Sequence, residues 1–175
     1  MPRVDYPRCR SFDSVVAADT TEGNQYEQGR RQQGYRGTLV HRLLGKTCKL
    51  SIVDDLAAPD MLLQYSLHEP RRGREDIKAF MTEFRQAFPD LNFWGTADLL
   101  AEGDCVIGRW EGGGTHTGAA FSDFLIGSLP AATGRKMHFT GTTVLRLQNG
   151  KIVEEIGLDD GVTALTQLGL IKAVA

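Results

Sequence analysis

Four side chains have the chemical types and positions for acid/base work. Asp160 and Glu154 lie on the run KIVEEIGLDD, His68 in SLHEP and His116 in GGGTHTG. A carboxylate facing apolar walls is poorly solvated, so its proton affinity rises and it becomes a usable acid or base near neutral pH. An imidazole titrates across that range and can shuttle a proton. Each also has a plainer reading. Asp160 lies in DDGVTAL and suits a helix N-cap, Glu154 can pair with an arginine at a rim, and either histidine can bond loop backbone. His41 reads as a surface residue of a leading helix. Tyr65, Trp94 and Trp110 can line an aromatic cavity or fill a core equally well.

The carboxylates take their orientation from a hairpin. Gln148-Asn149-Gly150-Lys151 holds the Asn-Gly pair that favours a two-residue type I′ loop. Pairing outward sets Leu147 opposite Ile152, Leu145 opposite Glu154, Thr143 opposite Ile156 and Phe139 opposite Asp160. Alternation then gives one face Met137, Phe139, Gly141, Thr143, Leu145, Leu147, Ile152, Glu154, Ile156, Leu158 and Asp160. The other takes His138, Thr140, Thr142, Arg146, Glu155 and Asp159. The first face is the apolar one, so Glu154 and Asp160 are expected to point into the interior.

Other elements follow from periodicity. TLVHRLLGK has helical spacing, and Ser51 with Asp54 is read as the cap of a short helix, SIVDDLAA, ended by Pro59. DMLLQYSL reads as a strand and HEPRRG as its turn. The clearest helix runs from about Arg74 to Phe88, with Ile77, Phe80, Met81, Phe84 and Phe88 on one stripe. The period then changes to two: LNFWGTADLLAEG, DCVIGRWEGGGTH, GRKMHFTGTTVLRLQ and KIVEEIGLDD read as strands, before a closing helix VTALTQLGLI. Helices first and a meander after predict an α+β domain, one curved sheet with helices on one face.

The chain has 175 residues, 41% hydrophobic and 24% charged, with a net charge of -2. That predicts one globular domain over 38–175, preceded by a polar extension over 1–37 that contains neither Leu nor Ile. The charge balance argues against a nucleic-acid partner, and no apolar run reaches the ~20 residues of a membrane span. Cys9, Cys48 and Cys105 form no C-x-x-C pair and have no metal-ligand spacing, and the N-terminus has no secretory apolar stretch. The expectation is a reduced, cytoplasmic protein with cysteines as apolar fillers and no metal. Phosphate-binding and nucleotide motifs are absent, and no cofactor is implied.

From about Asp54 to Leu170 the chain resembles the SnoaL-like polyketide cyclase or ester cyclase family of the nuclear transport factor 2-like superfamily. The residues are DDLAAPDMLLQYSLHEP, GREDIKAFMTEFRQAFPDLNF, DCVIGRWEGGGTHTG, ATGRKMHFTG and LQNGKIVEE. The resemblance implies a cone-shaped curved antiparallel sheet with helices packed on one face around a deep pocket, commonly a homodimer through the sheet. It implies acid/base closure of an enolisable polyketide without cofactor. Many members carry an Asp three residues before the arginine matched by Arg146; that position is Thr143, which cannot do an aspartate's proton transfer. The task then falls to Asp160, His116, His68 or Glu154. Tyr65, Trp94, Trp110, Phe124, Phe139, Thr143 and Ile156 are expected to line the pocket, with Phe121, Phe124 and Leu125 as a lid. Together these readings give a cofactor-free enzyme moving protons on a hydrophobic carbonyl-bearing small molecule. The alternatives are a noncatalytic binding or dimerisation module, or a ketosteroid isomerase-like or epoxide hydrolase-like activity on the same fold.

Overall fold

A computed structural model describes residues 49–172. The extension over 1–37 and the helix read in TLVHRLLGK, with His41, lie outside the described residues. Helix α1 (Ser51–Leu56) leads into strand β1 (Ala57–Gln64), and β2 (Arg71–Arg72) precedes helix α2 (Arg74–Ala87). Strands β3 (Asn92–Gly95), β4 (Leu100–Glu102), β5 (Cys105–Thr115), β6 (Lys136–Gln148) and β7 (Lys151–Asp159) follow, then helix α3 (Gly161–Gln167). The architecture is α+β, with a curved, open seven-stranded sheet in the order β2-β1-β7-β6-β5-β3 and β4 paired to β5.

α2 forms where the apolar stripe dictates. Ile77, Phe80, Met81 and Phe84 are buried, Glu75 and Asp76 sit in the first turn and Arg85 in the last, each complementing the helix dipole. α1 departs from expectation: its N-cap is Leu50 with no side-chain cap, and it ends at Leu56, so Pro59 lies within β1. β1 pairs parallel with β7, a long-range contact that periodicity cannot reveal. LNFWGTADLLAEG divides into β3 and β4. Cys105 is disulfide-bonded, which corrects its reading as a reduced filler.

The β6–β7 hairpin decides the site. Asn149 and Gly150 have φ of 51° and 75°, as a type I′ turn requires. The ladder starts as the turn dictates, with Gln148 opposite Lys151 and Leu147 opposite Ile152. The register then shifts, and the next pair is Arg146 with Glu154, so Val153 is an extra residue in a β-bulge. Beyond it Leu145 faces Glu155, Thr143 faces Gly157 and Gly141 faces Asp159. A one-residue slip exchanges the two faces of β7. Glu155 and Asp159 therefore turn to the concave side, while Glu154 and Asp160, expected inside, do not. Two contacts accompany the bulge: Arg146 Nη2 meets Glu154 Oε2 at 3.4 Å, and Gly157 leaves its inward space to the Tyr65 ring.

Candidate active site

The inner floor is a directed hydrogen-bond chain. The indole N–H of Trp110 can only donate, and it does so to Thr143 Oγ1 at 2.8 Å. Tyr65 Oη lies 3.0 Å from the same oxygen and donates its own proton to Glu155 Oε1 at 2.5 Å. The Thr143 hydroxyl proton must then point to Tyr65 Oη, and the chain runs Trp110, Thr143, Tyr65, Glu155. Two glycines make room for it. A Cβ at Gly141 would stand 2.2 Å from the Trp110 ring, and one at Gly157 would stand 2.0 Å from the ring of Tyr65.

Glu155 is 6% exposed and, among the described residues, has no cation against it. Burial pushes its carboxyl above the ordinary value, and the Tyr65 hydrogen bond only partly offsets that. Tyr65 is pushed well above its own ordinary value by burial and by the adjacent carboxylate.

Asp159, two pleats further along β7, accepts from Ser66 Oγ. Burial raises its carboxyl above the usual range, against the opposing effects of Ser66 and the nearby His68. His68 packs between Phe80 and Phe124, with ring centroids 4.9 and 5.3 Å away. Its Nδ1 lies 3.2 Å from Asp123 Oδ2, and Asp123 is clamped by Arg71.

These groups border a cavity of about 60 Å³. Tyr65, His68, Glu155 and Asp159 supply its polar edge; Phe80, Met81 and Phe84 of α2, Leu63, and Phe93, Trp110 and Phe139 of the sheet supply the apolar walls. Among such walls the effective dielectric is low, so each charge acts at longer range than in bulk solvent. No group of three or more His, Cys, Asp or Glu that could hold a metal ion occurs among the described residues. No described helix is long and apolar enough to cross a membrane.

The cavity brings together four of the residues expected there: His68, Tyr65, Trp110 and Phe139. Thr143 is buried just beneath it. Phe124 stacks on His68 rather than facing the space. Asp160 is exposed and accepts from Thr163 N at 3.1 Å as the N-cap of α3, which holds its carboxyl below the ordinary value. Glu154 pairs with Arg146 on the outer face. His116 is fully buried, with Nδ1 2.9 Å from Thr133 Oγ1 and Nε2 2.8 Å from the Ala119 carbonyl, so both nitrogens are used structurally. Trp94 donates to Glu111 beside His138 on the outer face, and Ile156 faces outward opposite Val144. Sequence reasoning missed Glu155 and Asp159 because of the bulge. The glycine at 157, two residues past a buried acid, is the signal that could have found them.

The sequence matches the SnoaL-like polyketide cyclase family over residues 38–168. Comparison with curated proteins gives no match. Among solved structures, TsrD from Streptomyces laurentii is 20% identical, covering 81% of this chain and 98% of its own, with a TM-score of 0.63. IdmH from Streptomyces antibioticus, described as a candidate polyketide cyclase, is 26% identical over 79% of this chain and 99% of its own, with a TM-score of 0.57. A Catenulispora acidiphila protein with a ketosteroid isomerase-like fold, solved with trimethylamine, is 16% identical over 78% and 94% of the two chains, with a TM-score of 0.60. With its open curved sheet, its few helices and this match across most of its length, the chain belongs to the SnoaL-like polyketide cyclase family.

Proposed function

We propose that the protein is a cofactor-free acid/base enzyme of the cyclase or isomerase type, acting on a hydrophobic carbonyl-bearing small molecule in this cavity. The observation that carries the reading is the presence of two carboxylates, Glu155 and Asp159, on the edge of an otherwise aromatic and aliphatic space. Asp159 takes a proton from the carbon beside a carbonyl. The electron pair moves into the carbonyl, whose oxygen receives the proton held by Glu155. The resulting enol carbon is the nucleophile that an intramolecular aldol closure needs. Glu155 suits the acid role because it is the more deeply buried of the two and, among the described residues, has only Tyr65 as a partner. Asp159 suits the base role because the Ser66 hydroxyl donates to its carboxylate and favours its charged form.

The test is proton abstraction itself. Wild-type protein incubated with 1-tetralone in deuterium oxide is expected to accelerate α-proton exchange, followed by proton NMR, and D159N to slow it by roughly 10²–10⁴-fold. Exchange unchanged in D159N contradicts the assignment. A noncatalytic ligand-binding role is the second reading, favoured by Thr143, whose hydroxyl is committed to Trp110 and Tyr65. Saturable 1-tetralone binding with no exchange above buffer selects it.

We also propose a homodimer through the convex sheet face. Support comes from Leu100, Ile107, Val144 and Ile156, which pair successively across β4, β5, β6 and β7. Leu100 is 68% exposed and Ile107 and Val144 about 40%. Sedimentation velocity should give a dimer that V144E converts to monomer; a monomeric wild type refutes it.

A further inference from the structure

We infer that Asp123 is a positioning residue that fixes the proton of His68 on Nδ1 and leaves Nε2 as the basic nitrogen available to the cavity. A catalytic use for that nitrogen rests on the function proposed above; the tautomer does not.

The assignment follows from which atoms can donate. His68 Nδ1 lies 3.2 Å from Asp123 Oδ2 and 3.3 Å from the Asp123 carbonyl oxygen. The carbonyl meets hydrogen-bond geometry, whereas the carboxylate oxygen is close but out of line. A carbonyl oxygen only accepts, so that hydrogen bond requires the proton on Nδ1. The Arg71 guanidinium donates to Asp123 Oδ1. Oδ2 is buried and has no hydrogen-bond partner among the described residues.

No described residue competes at the other nitrogen. The ring is walled by Phe80, Phe84, Phe121 and Phe124, at centroid distances of 4.9 to 6.0 Å, and none of these has a polar atom. Nε2 makes no hydrogen bond among the described residues. Asp159, the other charged group facing the ring, shares the cavity edge with it. A neutral imidazole with Nδ1 protonated presents its lone pair at Nε2 and acts as acceptor or base, not as donor. The ligand group that fits is an O–H, an enol or a phenol, rather than a carbonyl oxygen.

Asp123 belongs to the segment that covers His68. That segment is held by the Phe121–Leu129 and His68–Phe124 bridges and by Leu125 N donating to Leu67 O at 3.0 Å. One stretch of chain therefore both closes the aromatic wall and sets the imidazole proton. His116 provides a contrast within the same molecule. Its Nε2 faces the Ala119 carbonyl and its Nδ1 accepts from the Thr133 hydroxyl and backbone, which fixes the opposite tautomer.

Long-range ¹⁵N–¹H correlation spectra of uniformly labelled full-length protein, at alkaline pH where imidazoles are neutral, read both tautomers without any substrate. His68 is expected as Nδ1–H and His116 as Nε2–H. In D123N, Arg71 selects the amide oxygen and turns the NH₂ toward Nδ1, so the His68 tautomer ratio should move about tenfold toward Nε2–H with His116 unchanged. Wild-type His68 found as Nε2–H overturns the inference, and this measurement stands even if D123N does not fold. A folded D123N with an unaltered His68 ratio overturns the role of the Asp123 carboxylate and leaves the tautomer to the backbone carbonyl at 123, which the substitution keeps. Loss of tetralone exchange with both tautomers as stated would refute the proposed reaction and leave this inference intact.

Discussion

Glu155 stands opposite Leu145 across the β6–β7 ladder, and both are 6% exposed. That pairing exists because Val153 bulges. Without the extra residue the interior would receive Glu154, and Glu155 would face solvent. The acid/base character of the cavity therefore depends on one backbone irregularity five residues after the turn begins at Gln148, and several consequences can be measured.

Burial raises the Glu155 carboxyl, so the folded state binds its proton more tightly than the unfolded chain does. The stabilisation this gives is complete below the unfolded value of about 4.3 and is lost as pH rises through the folded value. E155Q removes the ionisation. At pH 8 it should raise stability by on the order of 1 kcal/mol, roughly 2–4 °C in Tm. The gain should shrink toward zero as both proteins are acidified below pH 4. Calorimetry of the two proteins across pH checks the sign.

Thr143 is the acceptor for Trp110 and the donor to Tyr65. T143V keeps the volume and leaves a buried indole N–H without a partner, at a cost of about 1–3 kcal/mol. T143S preserves the hydroxyl and should lose less than half as much. Urea denaturation of the pair separates the hydrogen bond from the methyl group.

Gly157 offers the Tyr65 ring a space that no side chain can share, since a Cβ would lie 2.0 Å from Cε1. G157A should cost about 1–3 kcal/mol and displace Tyr65 from Glu155. Tyrosine ring proton shifts and Tm report the two effects together.

Asp160 caps α3 from solvent. D160N should leave both Tm and tetralone exchange unchanged, because Asn caps as well as Asp. D160A should lower Tm by roughly 1–4 °C and spare exchange. Lost exchange in D160N would return the base role to this residue.

Much of the fold is legible from the residues. The stripe Ile77, Phe80, Met81, Phe84 places α2 to within a residue, and Asn149-Gly150 fixes the last turn and its first two pairs. The long strands β5, β6 and β7 fall where period two predicts. The site was legible only in its aromatic half: Tyr65, His68, Trp110 and Phe139. Its acids were not, because alternation carries no information about an inserted residue and a bulge inverts every later position. The parallel β1–β7 pairing, which brings Tyr65 beside Gly157, is likewise invisible to local pattern. Asp123 reaches His68 across 55 residues of chain, which no spacing rule anticipates.

The most direct test is a ¹³C carboxyl NMR titration of the wild-type protein, assigned at Glu155, Asp159 and Asp160. Glu155 and Asp159 are expected to titrate above the ordinary carboxylate values and Asp160 below its own. Ordinary titration at Glu155 and Asp159, with Asp160 the elevated group, would mean that β7 runs without its bulge and that the acids of the cavity are the wrong ones.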